Sequence, residues 1–289
     1  MIVVTGANGQ LGRHVVDNLL RRIPADQIVA SVREHSKADS LQAKGVAIRA
    51  GDFADPAALV DAFAGASQVL VISVNQLGEA ALQLHRSAIE AAATAGVRRI
   101  LYTAHMGARS DSPFMPARDH AATEAILAES GIPFTSLRHG FYAESALHMI
   151  GQGLAAGEIR APEDGPVSWT ARGDLAEADA ILLAEPGLLD GITPPLTASE
   201  AVTMAELAAI ASEVSGREIK RVVLSDDAWL DEKVAQGVPA PMAELLLGTF
   251  RASRRGDFAS TDPTLERFLD RRPRSMRDVL AKTLKLAQA

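Results

Sequence analysis

Three glycines, Gly6, Gly9 and Gly12, stand at G-x-x-G-x-x-G spacing after the apolar run Ile2–Thr5. They precede a segment in which Leu11, Val15, Val16, Leu19 and Leu20 recur at helical spacing. Each glycine meets its own demand. The first permits a tight turn, the second lets the backbone approach a pyrophosphate, and the third lets the helix pack close to the strand. The helix start then points its amide donors at the phosphates. Glycine triplets are common in turns, but strand, glycines and helix in this order predict a dinucleotide cradle. Its residues are Gly6, Ala7, Asn8, Gly9, Gln10, Leu11 and Gly12.

Further candidates follow the later apolar runs. Residues 27–32 lead into Arg33, with Lys37 nearby. An acidic residue there would hold the ribose 2′-hydroxyl of NAD, whereas a guanidinium suits the 2′-phosphate of NADP. NADP(H) is therefore expected in preference to NAD(H); Glu34 is the dissenting neighbour, and a solvated Arg33 is the alternative. Asp52 and Phe53 follow residues 46–49, where an adenine would lie. The Asp52 carboxylate either accepts from the adenine amino group or shapes the turn. Ser73, Val74 and Asn75, and then Thr103, Ala104 and His105, fall at the carboxyl ends of the fourth and fifth runs, where the nicotinamide half belongs. His120 could donate a proton, since histidine titrates near pH 6.5, or could simply pack. Gly140 would admit a close approach, and Phe141 and Tyr142 could cover a flat substrate or pack two lobes together. His148 and Trp169 complete the candidates for substrate contact.

Such residues need strands and helices to position them. Asp55-Pro56 reads as a helix start, residues 79–95 as a long helix ended by Gly96, residues 99–103 as a fifth strand, 120–130 as a helix and 134–137 as a sixth strand. Apolar strands separated by helices predict an α/β fold with a doubly wound parallel sheet, the Rossmann arrangement. After about residue 140 the rhythm breaks into a short piece at 166–170, helices at 173–184 and 204–215, strand-like 220–224 and further helical segments. The expected division is an NAD(P)-binding domain over 1–150, with 167–186 packing back on it, and a smaller, mostly helical substrate-binding lobe over 151–289.

Composition limits the alternatives. Hydrophobic residues make up 47% of 289 and aromatics 4%, so aliphatic side chains must fill the core. A net charge of -7 argues against a nucleic-acid surface, and Arg271, Arg272, Arg274 and Arg277 read as a solvated helix start. The absence of cysteine removes disulfides, thiolate catalysis and cysteine-bound metals, and suits a reducing compartment. The histidines form no metal-ligand spacing, and no G-x-S-x-G elbow occurs. No charged-then-apolar leader precedes the first strand, and no apolar run reaches the roughly 18–20 residues of a membrane span. The expectation is a cytoplasmic protein without metal, membrane or nucleic acid, a monomer or homodimer acting on a small molecule.

The stretches VTGANGQLG, IVASVRE, GDFADPAAL, AGVRRILYTA and DHAATEAILAESGIPFTSLRHGFYAES resemble the atypical short-chain dehydrogenases/reductases. Within them they are similar to the NmrA-like branch, with its type 2 quinone oxidoreductases and triphenylmethane dye reductases. The likeness is strong to about residue 145 and thereafter mostly one of length and rhythm, though WTARGDLAEA fits the helix after the cofactor fold. One departure matters. Short-chain dehydrogenases normally carry Tyr-x-x-x-Lys after the fifth strand, whereas this chain has His120-Ala121-Ala122-Thr123-Glu124 and no lysine between Lys44 and Lys220. The resemblance implies an NADPH-dependent reductase that passes hydride to a quinone or similar conjugated acceptor without that proton relay, Glu124 being structural. The alternative is a non-catalytic, NADP-sensing NmrA-like regulator. An epimerase is disfavoured because it too needs the missing tyrosine.

Overall fold

Short runs of valine, isoleucine and leucine buried along their whole length, such as Ile2–Thr5 and Gln68–Val71, are strands of a sheet covered on both faces. The computed structural model describes residues 1–286. In chain order its elements begin with β1 (Ile2–Thr5), α1 (Gln10–Leu19), β2 (Ile28–Val32), α2 (Asp39–Gln42), β3 (Ala47–Ala50), α3 (Pro56–Phe63), β4 (Gln68–Val71), α4 (Glu79–Thr94), β5 (Arg99–His105), α5 (Met115–Glu129) and β6 (Phe134–His139). There follow β7 (Phe141–Tyr142), α6 (Ala143–Ala156), β8 (Glu158–Pro162), β9 (Trp169–Thr170), α7 (Arg172–Ala184) and β10 (Gly191–Ile192). The rest is α8 (Met204–Ser215), β11 (Lys220–Leu224), α9 (Asp226–Ala235), α10 (Ala240–Arg254), α11 (Thr264–Leu269) and α12 (Met276–Leu286).

Seven strands form one sheet in the order β10-β6-β5-β4-β1-β2-β3. β1 pairs in parallel with both β2 and β4, so the winding reverses beside β1, the switch point at which α/β sheets bind ligands. The expected doubly wound parallel sheet and helical C-terminal region are borne out. Asp55 caps α3 as its Asp-Pro pair implies, the carboxylate accepting from Ala58 N–H at 3.1 Å. Two of the boundaries that differ from expectation bear on the candidate site. β5 runs on to His105, which makes Thr103–His105 strand residues. α5 starts at Met115, because Pro116 is tolerated in a first turn where its missing N–H is not needed; His120 therefore lies inside the helix.

Two compact units divide the chain. The first comprises Met1–Ser110, Arg118–Arg138 and Leu175–Pro194; the second comprises Asp111–Ala117, His139–Asp174 and Pro195–Ala289. The core of the first is aliphatic, with Val3, Val29, Leu59, Val69, Ile89 and Ile100 around Phe63 and Tyr102. Arg99 is buried there and donates to Gln68 Oε1, Thr135 Oγ1 and the carbonyls of Leu182 and Leu189, which fastens β5 to its neighbours. In the second unit β8 pairs in parallel with β11. Its buried Asp174 accepts from Arg271 at 2.9 Å and from the Arg274 backbone at 2.7 Å. Part of the basic cluster read as a solvated helix start is thus turned onto a buried carboxylate. Among the described residues no helix is long and apolar enough to cross a membrane.

Candidate functional site

The glycine segment after β1 is shaped by its own backbone. Gly6 has φ 56°, and Gly9 N–H donates to Gly6 O at 2.9 Å. A Cβ on Gly12 would lie 2.4 Å from Gly6 O and 2.7 Å from the Ala7 Cα, so no side chain fits there. Arg13 Nε donates to Asn8 O at 2.8 Å and braces the turn from outside. Gly9 caps α1 in extended conformation without a side-chain hydrogen bond, the condition for a helix start to serve an anion. Ala7, Leu11 and Gly12 are buried, whereas Gly6, Gly9 and Gln10 are exposed.

At the end of β2, Arg33 is exposed and makes no hydrogen bond or ion pair among the described residues. Lys37 does not join it; its ammonium lies 2.9 and 2.8 Å from the two carboxylate oxygens of Glu34. Lys37, and to a lesser extent the charge of Arg33, hold the Glu34 carboxyl below its ordinary value. The dissenting carboxylate is thereby engaged elsewhere. After β3, Asp52 accepts from Ala54 N–H at 3.0 Å, a turn-shaping bond, and Phe53 is buried in the core.

The segment after β4 is held by side chains from several elements. Ile72 N–H donates to Thr5 Oγ1 at 2.9 Å, Ser73 N–H to Thr103 Oγ1 at 2.9 Å, and Gly78 N–H to Asp119 at 2.8 Å. Val74 N–H donates to His85 Nε2 at 3.1 Å. Because that nitrogen accepts, the neutral His85 ring carries its proton on Nδ1, 2.9 Å from Thr123 Oγ1. Burial pushes the His85 pKa down to about 4. Sequence reasoning missed this residue; the only signal was one histidine amid the alanines of α4, on a face shared with buried Ala81, Ala88 and Ala92.

His120 is half-buried on α5, with Nδ1 2.8 Å from the hydroxyl of Tyr102 on β5. The His105 ring stacks beside it, centroids 6.2 Å apart and planes 21° from parallel. Glu124, at the position of the relay lysine, is buried and clasped by Arg138 Nε and Nη2 at 2.9 and 2.7 Å, while Ser136 Oγ donates at 2.8 Å. The hydrogen bonds that Arg138 donates to Glu124 raise the Arg138 pKa.

In the second unit β7 and β9 bring three candidates together, Phe141 pairing with Trp169 and Tyr142 with Thr170, and Gly140 directly precedes β7. Gly140 is buried, and a Cβ there would lie 2.2 Å from Thr170 Oγ1, so the requirement for glycine comes from Thr170. Phe141 packs on Trp169, Phe258 and Phe114 at centroid distances of 5.0, 5.3 and 5.6 Å. Trp169 is only 2% exposed. Arg172 lies 4.8 Å over the Tyr142 ring. His148 is exposed on α6 and stands apart from these four, lining a cavity of about 660 Å³ with Met149, Arg160, Met204, Trp229 and Phe250. None of these five was among the sequence candidates. Among the described residues no group of three or more histidines and carboxylates is placed to hold a metal.

A family described as NAD(P)H-binding matches residues 6–186, from the first glycine of the turn through α7. The chain belongs to this NAD(P)H-binding family. It is 37% identical over 270 residues to quinone oxidoreductase 2 of Escherichia coli, covering 93% of each chain. By superposition the NADPH-dependent quinone oxidoreductase QOR2 of E. coli, complexed with NADPH, gives a TM-score of 0.93 at 33% identity, covering 98% of this chain and 100% of the other. The triphenylmethane reductase of Citrobacter sp., complexed with NADP(H), gives 0.91 at 34% identity, covering 98% and 99%. The resemblance to NmrA-like, atypical short-chain dehydrogenases/reductases is borne out, and the chain is an NAD(P)H-dependent oxidoreductase.

Proposed function

We propose that this NAD(P)H-binding chain is an NADPH-dependent reductase of quinones or similar conjugated acceptors, working without a Tyr-x-x-x-Lys relay. The observation that carries this reading is Glu124: where the relay needs a lysine to lower a tyrosine pKa, α5 offers a carboxylate already neutralised by Arg138. Activity named for the E. coli and Citrobacter relatives points the same way.

The glycine turn fits a dinucleotide, since Gly12 admits no Cβ and α1 has no side-chain cap. Its amides would hold the pyrophosphate, and Arg33 the 2′-phosphate in bidentate geometry. Asp52 and Phe53 are assigned to the adenine edge, and Ser73–Asn75 with Thr103–His105 to the nicotinamide half. When bound, the dinucleotide supplies hydride, the hard chemistry of the reaction. The chain's part is orientation, a dry site, and one proton for the reduced acceptor, which we assign to His120. Tyr142, which keeps solvent-exposed surface, is assigned to acceptor contact, with Gly140, Phe141 and Trp169 shaping the backbone and aromatic packing beside it. His148 lines a cavity that none of these four lines and is left out of the acceptor site.

The test is turnover of NADPH and NADH against a panel of quinones and cationic dyes. Oxidation of NADPH by at least one conjugated acceptor, with NADH poorer, is the expected result. Tight binding of NADPH with no oxidation by any acceptor would reject the enzyme and favour a dinucleotide-sensing regulator. His120→Ala should slow quinone reduction while a cationic dye, which needs hydride alone, is less affected; the same proportional effect on both acceptors would remove His120 from the chemistry.

A further inference from the structure

The chemistry of a histidine donor depends on which nitrogen carries the proton, and that is set by the partner of the other nitrogen. In this chain the partner of His120 Nδ1 is the hydroxyl of Tyr102, 2.8 Å away. Tyr102 is fully buried in the core of the first unit, and its ring is fixed edge-on against His85 at a centroid distance of 5.2 Å. A buried phenol needs a hydrogen-bond partner, and a ring locked by packing cannot swing away to find another. We propose that Tyr102 is the positioning residue for His120, directing its exchangeable proton to Nε2. The inference rests on the reading of His120 as the proton donor and concerns how the donor is aimed.

A phenol suits this task because it can both donate and accept. Toward a neutral His120 the Tyr102 O–H donates to Nδ1, which leaves the ring proton on Nε2. Toward an imidazolium the phenol oxygen accepts from Nδ1–H, so one contact holds the ring in both charge states. In the donating step the imidazolium Nε2–H bond breaks and its electron pair stays on nitrogen. An O–H bond forms on the acceptor oxygen that hydride from the reduced nicotinamide has made electron-rich. The ring ends neutral, and water restores the proton. The neighbouring rings support the same orientation. His105 accepts from Gly107 N–H through Nδ1 at 3.0 Å and stacks on His120 face to face, so His120 is gripped on its Nδ1 edge and one face.

Two measurements test this. The first is the ¹⁵N spectrum of the histidine rings in the wild-type chain at about pH 8.5, where an ordinary histidine is neutral. His120, assigned by its loss in His120→Ala, should show a protonated Nε2 and an unprotonated Nδ1. A proton on Nδ1 would overturn the proposal whatever the variants do. The second compares Tyr102→Phe with His120→Ala, folding being checked by circular dichroism. Tyr102→Phe should lower the ratio of quinone kcat to cationic-dye kcat about tenfold, a partial loss of general-acid catalysis, with the KM for NADPH unmoved. If His120→Ala lowers that ratio and Tyr102→Phe does not, the positioning role fails while the donor reading stands. If His120→Ala leaves the ratio unchanged, the donor reading itself fails.

Discussion

The segment after β1 and the segment after β6 both carry a glycine whose Cβ would lie under 3.0 Å from a neighbouring atom, and both lead into a helix without a side-chain cap. The reasons differ. At Gly12 the atoms that exclude a Cβ are Gly6 O and the Ala7 Cα, a few residues back along the chain. At Gly140 they are Oγ1 and Cβ of Thr170, brought in from distant sequence. One segment makes its own shape; the other is held in shape by what packs on it. The segment after β4 belongs with the second kind, its amides held by Thr5, Thr103, His85 and Asp119.

The sharpest way to break this contrast is Gly12→Ala. With backbone atoms at 2.4 and 2.7 Å, the turn itself must open, which costs about 3 kcal/mol or more and weakens NADPH about 100-fold in equilibrium binding. Unchanged affinity in a folded variant would show that the turn is not the cradle. Arg33→Ala should come next. Loss of a charge-assisted contact worth about 1.5–3 kcal/mol predicts NADPH binding weaker by about 10- to 100-fold and NADH binding nearly unchanged. Equal losses for both cofactors would refute the 2′-phosphate role.

Gly140→Ala should act on the fold instead. Overpacking against Thr170 predicts a loss of about 1–3 kcal/mol in urea unfolding, while the Kd for NADPH changes less than about twofold. Partial recovery of stability in Gly140→Ala with Thr170→Ala would tie the effect to that one hydroxyl. If Gly140→Ala weakened NADPH as much as Gly12→Ala while leaving unfolding unchanged, the two segments would not differ as described.

The same contrast explains what could be read without coordinates. The glycine turn, Arg33 at the end of β2 and the departure at His120 and Glu124 are local patterns, in which spacing along the chain is spacing in the fold. The order of strands and helices was legible for the same reason, since burial and periodicity are properties of short windows. Lys37 turns to Glu34 rather than supporting Arg33, a pairing that the i,i+3 spacing also allowed. His85, Tyr102 and Arg138 were invisible as partners. Each acts through a contact with another element, and one sequence alone does not reveal which elements meet.

The smallest effect expected belongs to a residue of that invisible kind. His85 must stay neutral to accept from Val74 N–H, and burial lowers its pKa from 6.5 to about 4. As pH falls below about 6.5 the unfolded chain takes up this proton first, so stability held at neutral pH is lost progressively until about pH 4. By about pH 5.5 the share due to His85 is about 1.4 kcal/mol. His85→Gln keeps an acceptor and a donor but cannot titrate. The variant's urea midpoints at about pH 8 and pH 5.5, converted to free energies, should therefore show an acid loss smaller than wild type by about that amount. Identical losses would mean that His85 is not the group that titrates there. A smaller loss would show that the segment after β4, held by distant side chains, carries an acid sensitivity that the self-made turn after β1 has no group to share.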